Sequence, residues 1–171
     1  MPTQNYRKPC ISFLLLIILG TGLCARSSAQ TSAQSAPSSP CGAKVVQLLT
    51  ASSYQFKTHS SEVWSITFSR ESLKDFRVVI ATNKELVVMF VIVAKKAQMD
   101  ITSEFMHTLL RFNHQFDQVK IGLDDDGDLF VRTDSTCRLL DVAELKANIE
   151  QVASSANEVH QSVKGSISSG K

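Results

Sequence analysis

The chain has 171 residues, 43% of them hydrophobic and 20% charged, with 18 Lys and Arg against 16 Asp and Glu. Three of the basic residues (Arg7, Lys8 and Arg26) precede residue 30 and no acid does, so the remainder carries 15 positive and 16 negative charges. That balance leaves no cationic cluster to neutralise a phosphate backbone, and a nucleic-acid partner is excluded on those grounds.

Residues 1–29 have the three-part layout of a secretory signal peptide: a basic flank at Arg7-Lys8, an apolar run ISFLLLIILG, and the small residues Ser27-Ser28-Ala29. Cleavage is expected after Ala29, or else after Ala25. The apolar core from Ile11 to Leu23 is 13 residues long, short of the roughly 20 that cross a bilayer. Leu23 is too large to precede a lipidated Cys24. The mature protein is therefore expected in the periplasm or outside the cell, with no integral membrane segment. Residues 30–40, QTSAQSAPSSP, are too polar to repay ordering and read as a linker. One domain follows, over residues 41–164, and the tail 165–171 is expected to fray.

Within the domain, Val45, Val46, Leu48 and Leu49 after Pro40 mark a short first helix, about 41–52. Trp64, Ile66 and Phe68 alternate with polar residues and predict a strand with one buried face. Phe76–Ala81 is a second strand. After a turn at Thr82-Asn83-Lys84, the run Leu86–Val93 is apolar on both faces and β-branched, as a central strand would be. Asp100 is expected to cap a second helix carrying Phe105, Leu109, Phe112 and Phe116. Val119, Ile121 and Leu123, then Leu129 and Val131, predict two half-buried strands around a tight turn at Asp125-Asp126-Gly127. A last helix opens on a capping box of Asp141 and Glu144, with Leu140 and Leu145 as a hydrophobic staple. Its stripe runs Val142, Leu145, Ile149, Val152, Ala156, Val159 and Val163. The order α-β-β-β-α-β-β-α places the chain in the α+β class, as one domain with a mostly antiparallel sheet and helices packed on it.

Few residues offer chemistry. The stretch DDDGDLF at 124–130 resembles a calcium loop, but with Gly127 at the sixth position the first ligand falls on Gly122 and the closing carboxylate on Thr133. It reads as a hairpin tip, with Asp chosen for turn geometry. His107 and His114 lie seven apart on one predicted helix and read as solvent-facing. Asn113, near the end of that helix, is a candidate to cap its carbonyls or tie down the following turn. Cys41 and Cys137 can close a disulfide in an oxidising compartment; two buried thiols, or one thiol pairing between chains, are the alternatives. Trp64, Leu86, Val88, Phe90 and Ile92 are candidates for an interface or a ligand pocket. No catalytic residue, metal ligand or cofactor is assigned.

Taken together, Trp64–Phe68, Leu86–Val93, Leu109-Leu110-Arg111-Phe112-Asn113-His114, Gly122–Leu129 and Asp141–Leu145 resemble the YbjN-like family, described as bacterial sensory-transduction regulators. The likeness covers roughly residues 42–163. It implies a fold related to type III secretion chaperones, which are small dimers that hold effector segments in extended form on their surface. The expectation is an exported, non-enzymatic protein-interaction or regulatory domain, homodimeric through the sheet or its edge, with a protein partner. A module binding a small apolar ligand or peptide in a groove between sheet and helices is the alternative. An enzyme would need Cys137, His160 and a carboxylate to converge.

Overall fold

Leu86–Ala94 (β4) lies inside a six-stranded antiparallel sheet, where its two apolar faces require it to be. The computed structural model describes residues 39–167. The other strands are Phe56–Ser60 (β1), Val63–Phe68 (β2), Phe76–Asn83 (β3), Lys120–Leu123 (β5) and Leu129–Thr136 (β6). The spatial order is β1-β2-β3-β4-β6-β5, so β4 pairs with β3 on one side and β6 on the other. Three helices, Pro40–Ala51 (α1), Ser103–Gln115 (α2) and Val142–Val163 (α3), complete the domain.

The element order matches the sequence reading, with one further strand at the sheet edge. β1 reads FKTHS, with a single apolar residue and no alternation. An edge strand that buries little has no pattern to show.

One face of the sheet is fully packed. Trp64, Ile80, Met89 and Thr133 are register partners across four strands, and all are buried. Above them runs α3, which buries Leu145, Ile149, Val152, Ala153, Ala156, Val159 and Val163. Its small residues let the helix lie close to the sheet. At roughly 1.5–3 kcal/mol per fully buried Val, Leu or Ile side chain, this stripe is a main source of the fold's stability. Asp141 caps α3 by accepting from the Glu144 amide at 2.8 Å. Glu144 does not complete the expected box: its carboxylate accepts from Asn148 Nδ2, 3.3 Å away. Leu140 and Leu145 are both buried beneath this turn.

Three boundaries differ from the sequence reading. α1 begins at Pro40, with the Ser39 hydroxyl accepting from the Gly42 amide, so Ser39 and Pro40 belong to the domain and not to a linker. The Glu62 carboxylate accepts from the Ser39 amide and hydroxyl, both at 2.9 Å, and from Thr82 Oγ1. It lies so close to Gly42 that a Cβ there would sit 2.7 Å from a carboxylate oxygen. A negative charge is favoured at a helix start.

The cap of α2 is Thr102, whose hydroxyl accepts from the Phe105 amide at 3.1 Å, and not Asp100. Asp100 instead donates its amide to the Ser166 carbonyl at 2.9 Å. Residues 165–167 are held rather than frayed: Ile167 forms a bridge with Met99 and packs on the core, because it is an apolar residue within reach of one. The expected signal peptide over residues 1–29, residues 30–38 of the expected linker and residues 168–171 lie outside the described residues.

A disulfide joins Cys41 in the first turn of α1 to Cys137 just after β6, with Cα atoms 5.9 Å apart. Lys44 Nζ donates to the carbonyls of Cys137 and Arg138 at 2.9 and 3.1 Å, fixing the same corner.

Candidate interaction surface

Alternation along β4 divides its side chains into two sets. Val87, Met89, Val91 and Val93 are buried under the helices, whereas Leu86, Val88, Phe90 and Ile92 face the other way and stay partly exposed. The β3–β4–β6 register sets Phe90 between Val79 and Arg132, Val88 between Ala81 and Asp134, and Ile92 beside Phe130. Val88, Phe90, Ile92 and Phe130 floor a shallow depression of about 190 Å³, with Asp124 and Arg132 at its walls.

Trp64 is not part of this surface. The register Trp64–Ile80–Met89 carries it to the helix side, 1% exposed, so the expected pocket combining Trp64 with Phe90 does not exist. Leu86 lies at the end of the strand, 44% exposed.

The polar border of the depression is built by β6 and β5. Arg132 donates from Nε and Nη2 to the two carboxylate oxygens of Asp134, at 2.8 and 3.0 Å, and Lys120 Nζ reaches the same carboxylate at 2.8 Å. Burial pushes Asp134 up, but the hydrogen bonds from Arg132 and Lys120 outweigh it and hold the carboxyl below its ordinary range. The two cations share this one carboxylate, so the apolar floor is bordered by a hydrogen-bonded fence that keeps one net positive charge. The sequence signal for these residues was the second alternation in Leu129–Asp134: Leu129, Val131 and Thr133 face in, while Phe130, Arg132 and Asp134 face out.

The DDDGD stretch turns the chain from β5 to β6. Asp124 Oδ1 accepts from the amides of Asp126 and Asp128, at 3.1 and 2.8 Å. Asp128, 6% exposed, accepts from the Lys96 amide at 2.9 Å and from Lys95 Nζ at 2.6 Å. Those bonds hold its carboxyl below the usual range and raise the Lys95 ammonium. Gly127 has φ +83°, a conformation that favours glycine, and a Cβ there would also displace the exposed Lys96 side chain, 2.8 Å away. Asp125 and Asp126 lie exposed at the tip. Among the described residues no group of three or more His, Cys, Asp or Glu side chains is placed to hold a metal ion.

The histidines are dispersed. His107 and His114 are exposed on α2. His59 Nε2 is 2.7 Å from Ser65 Oγ. His160 does not meet Cys137, which is in the disulfide; its Nδ1 lies 2.7 Å from Ser72 Oγ. Burial lowers the His160 pKa, and Lys164 lowers it further.

That contact belongs to a latch between α3 and the β2–β3 loop, which sequence reasoning missed. Asn157 Oδ1 accepts from the amides of Ser72 and Leu73, at 2.8 and 3.0 Å. Glu150 pairs with Arg70 and accepts from the Tyr54 hydroxyl at 2.8 Å. Burial and the Glu150 contact push the Tyr54 pKa up to about 12. These residues lie 80 or more positions apart in the chain, so no local pattern announces them.

No family model matches the chain, and comparison with curated proteins finds no match. Solved structures do match. A chain of the HopA1–SchA chaperone–effector complex aligns with TM-score 0.54 and 14% identity, covering 73% of this chain and 99% of the other. The structure of the Yersinia pestis type III secretion chaperone SycH with a fragment of YscM2 aligns at 0.52 and 14%, covering 70% and 98%. YbjN from E. coli aligns at 0.52 and 14%, covering 72% and 93%. The chain has the secretion-chaperone fold. Identity this low establishes the fold alone.

Proposed function

We propose that the protein is a non-enzymatic, exported interaction domain whose working surface is the open face of the sheet around Phe90. The observation that carries this reading is the apolar floor of Val88, Phe90, Ile92 and Phe130 on a face that the helices leave partly exposed. A soluble protein rarely leaves a contiguous apolar patch without a use for it. Aromatic and aliphatic side chains enclosed by a satisfied polar rim are the usual anatomy of a protein contact. Two of the similar structures are complexes of a chaperone with another protein, which supports that role, and the disulfide agrees with an oxidising compartment.

A homodimer through this face is the form we propose, since a two-fold contact covers the same patch on both copies. Sedimentation of the mature chain should report about twice the monomer mass, and Phe90→Asp should return it to a folded monomer. A wild-type monomer whose capture of protein partners is unchanged by Phe90→Asp would reject the reading.

A further inference from the structure

We propose that Asn113 is a gate on the β5 edge, closing it against edge-to-edge pairing with β5 of a second copy of this chain. β5 is an outermost strand, paired on one side only, with β6. In an antiparallel ladder, alternate residues turn both backbone groups toward the neighbour and the rest turn theirs away. Asp124 donates its amide to the Asp128 carbonyl across the hairpin, which fixes the phase: Ile121 and Leu123 direct their amides and carbonyls outward.

An edge of this kind is a template for another strand. Here it is closed at one point. Asn113 Oδ1 accepts from the Ile121 amide at 2.9 Å, and Asn113 Nδ2 donates to the Ile121 carbonyl at 2.7 Å. One primary amide thus makes both bonds that a residue of a neighbouring strand would make. The same Nδ2 lies 3.3 Å from the Leu109 carbonyl, which ties the amide to its own helix. Helix α2, bearing Phe105, Leu109 and Phe112 inward, therefore reaches the sheet edge through a side chain that imitates backbone.

A second copy is the occupant that fits the opened edge. Two identical short edges pair about a two-fold axis with no further adaptation. Lysine on an edge strand ordinarily discourages such pairing; Lys120 is directed to Asp134 on the sheet face and not along the edge. The gate is independent of the contact around Phe90, which lies on the face of the sheet and not at its edge.

Amide hydrogen exchange and sedimentation of the mature chain test the gate together. In the wild type the Ile121 amide should exchange at least about tenfold more slowly than that of Asp125 at the hairpin tip, as a bonded amide does. In Asn113→Ala at low concentration that protection should be lost. At high concentration it should return, together with an association that the wild type lacks or that is at least about tenfold stronger than in the wild type, the ratio that one hydrogen-bonded pair supplies. Adding Leu123→Pro, which removes an outward amide without cutting the β5–β6 ladder, should abolish the added association. Should Asn113→Ala not fold, Asn113→Leu carries the same test, since it keeps nearly the shape of the amide and has neither its acceptor for the Ile121 amide nor its donor to the Ile121 carbonyl. An unprotected Ile121 in the wild type overturns the proposal. So does a folded Asn113 variant that associates no more than wild type, or one whose association leaves Ile121 unprotected.

Discussion

Removing the disulfide is the perturbation with the largest expected effect on this fold. Cys41 and Cys137 are 96 positions apart, so the bond closes a loop over most of the domain. The chain entropy that such a loop withholds from the unfolded state is worth about 4.7 kcal/mol at room temperature. For a domain of this size, with unfolding entropy of about 2.1 cal/mol/K per residue, that loss corresponds to a fall of roughly 18 °C in Tm. Both half-cystines are buried, and their corner is also held by Lys44, so native geometry should survive. Calorimetry and urea denaturation should be run on the oxidised wild type, the reduced wild type, Cys41→Ala, Cys137→Ala and the double variant. Breaking one bond is a single event. Either single variant should therefore cost as much as both together, and all should resemble the reduced wild type. A loss below about 1 kcal/mol, or additive single losses, would refute the chain-entropy reasoning.

Calcium should have no specific effect: titration calorimetry should show no saturable heat at micromolar calcium, and Asp126→Ala should change nothing, because Asp124 Oδ1 is committed to the hairpin amides and both Asp128 oxygens to Lys95 and Lys96. His160 should make stability pH-dependent. Its folded pKa is lowered by burial and by Lys164, so the folded state binds fewer protons, and its contribution is complete above the unfolded value of about 6.5 and declines as pH falls below it. Urea midpoints measured between about pH 7.5 and 5.5 should fall less steeply in His160→Gln; an unchanged slope would show that the ring titrates freely.

The legible parts of this sequence were those in which one element decides its own burial. The α3 stripe, the doubly apolar β4 and the glycine in the DDDGD turn each carry a local signature, since period, length or positive φ is a property of neighbouring residues. What stayed hidden depends on partners elsewhere. Trp64 and Phe90 both lie on alternating strands, but only the register through Ile80 and Met89 shows that they point to opposite faces. Thr102 and Asp100 are both plausible caps, and the choice between them follows from the Ser166 carbonyl reaching the Asp100 amide. The Asn157 latch and the two bonds of Asn113 to Ile121 arise only once helix, loop and edge have been brought together.

Simple dimensions explain why the second face of β4 is left open. Six strands at about 4.8 Å spacing make a sheet roughly 29 Å wide, and three helices of about 10 Å diameter side by side span nearly the same width. α3 packs on β3, β4 and β6, with α1 against one flank and α2 against the other above β5. All three helices are consumed by one face. The other face must then be made tolerable to water, and part of it is: Lys57, Thr67, Arg77, Arg132, Asp134 and Lys120 lie on it by register. Val63, Val79, Ala81, Leu86, Val88, Phe90, Ile92 and Phe130 are the exceptions, contiguous across β2, β3, β4 and β6. Apart from the more exposed Leu86, each of them is half-buried against its neighbours on this face, so a polar substitution would forfeit some packing within the copy. Packing within one copy still leaves part of each side chain exposed, and contact with another protein surface is the cover we propose for that part.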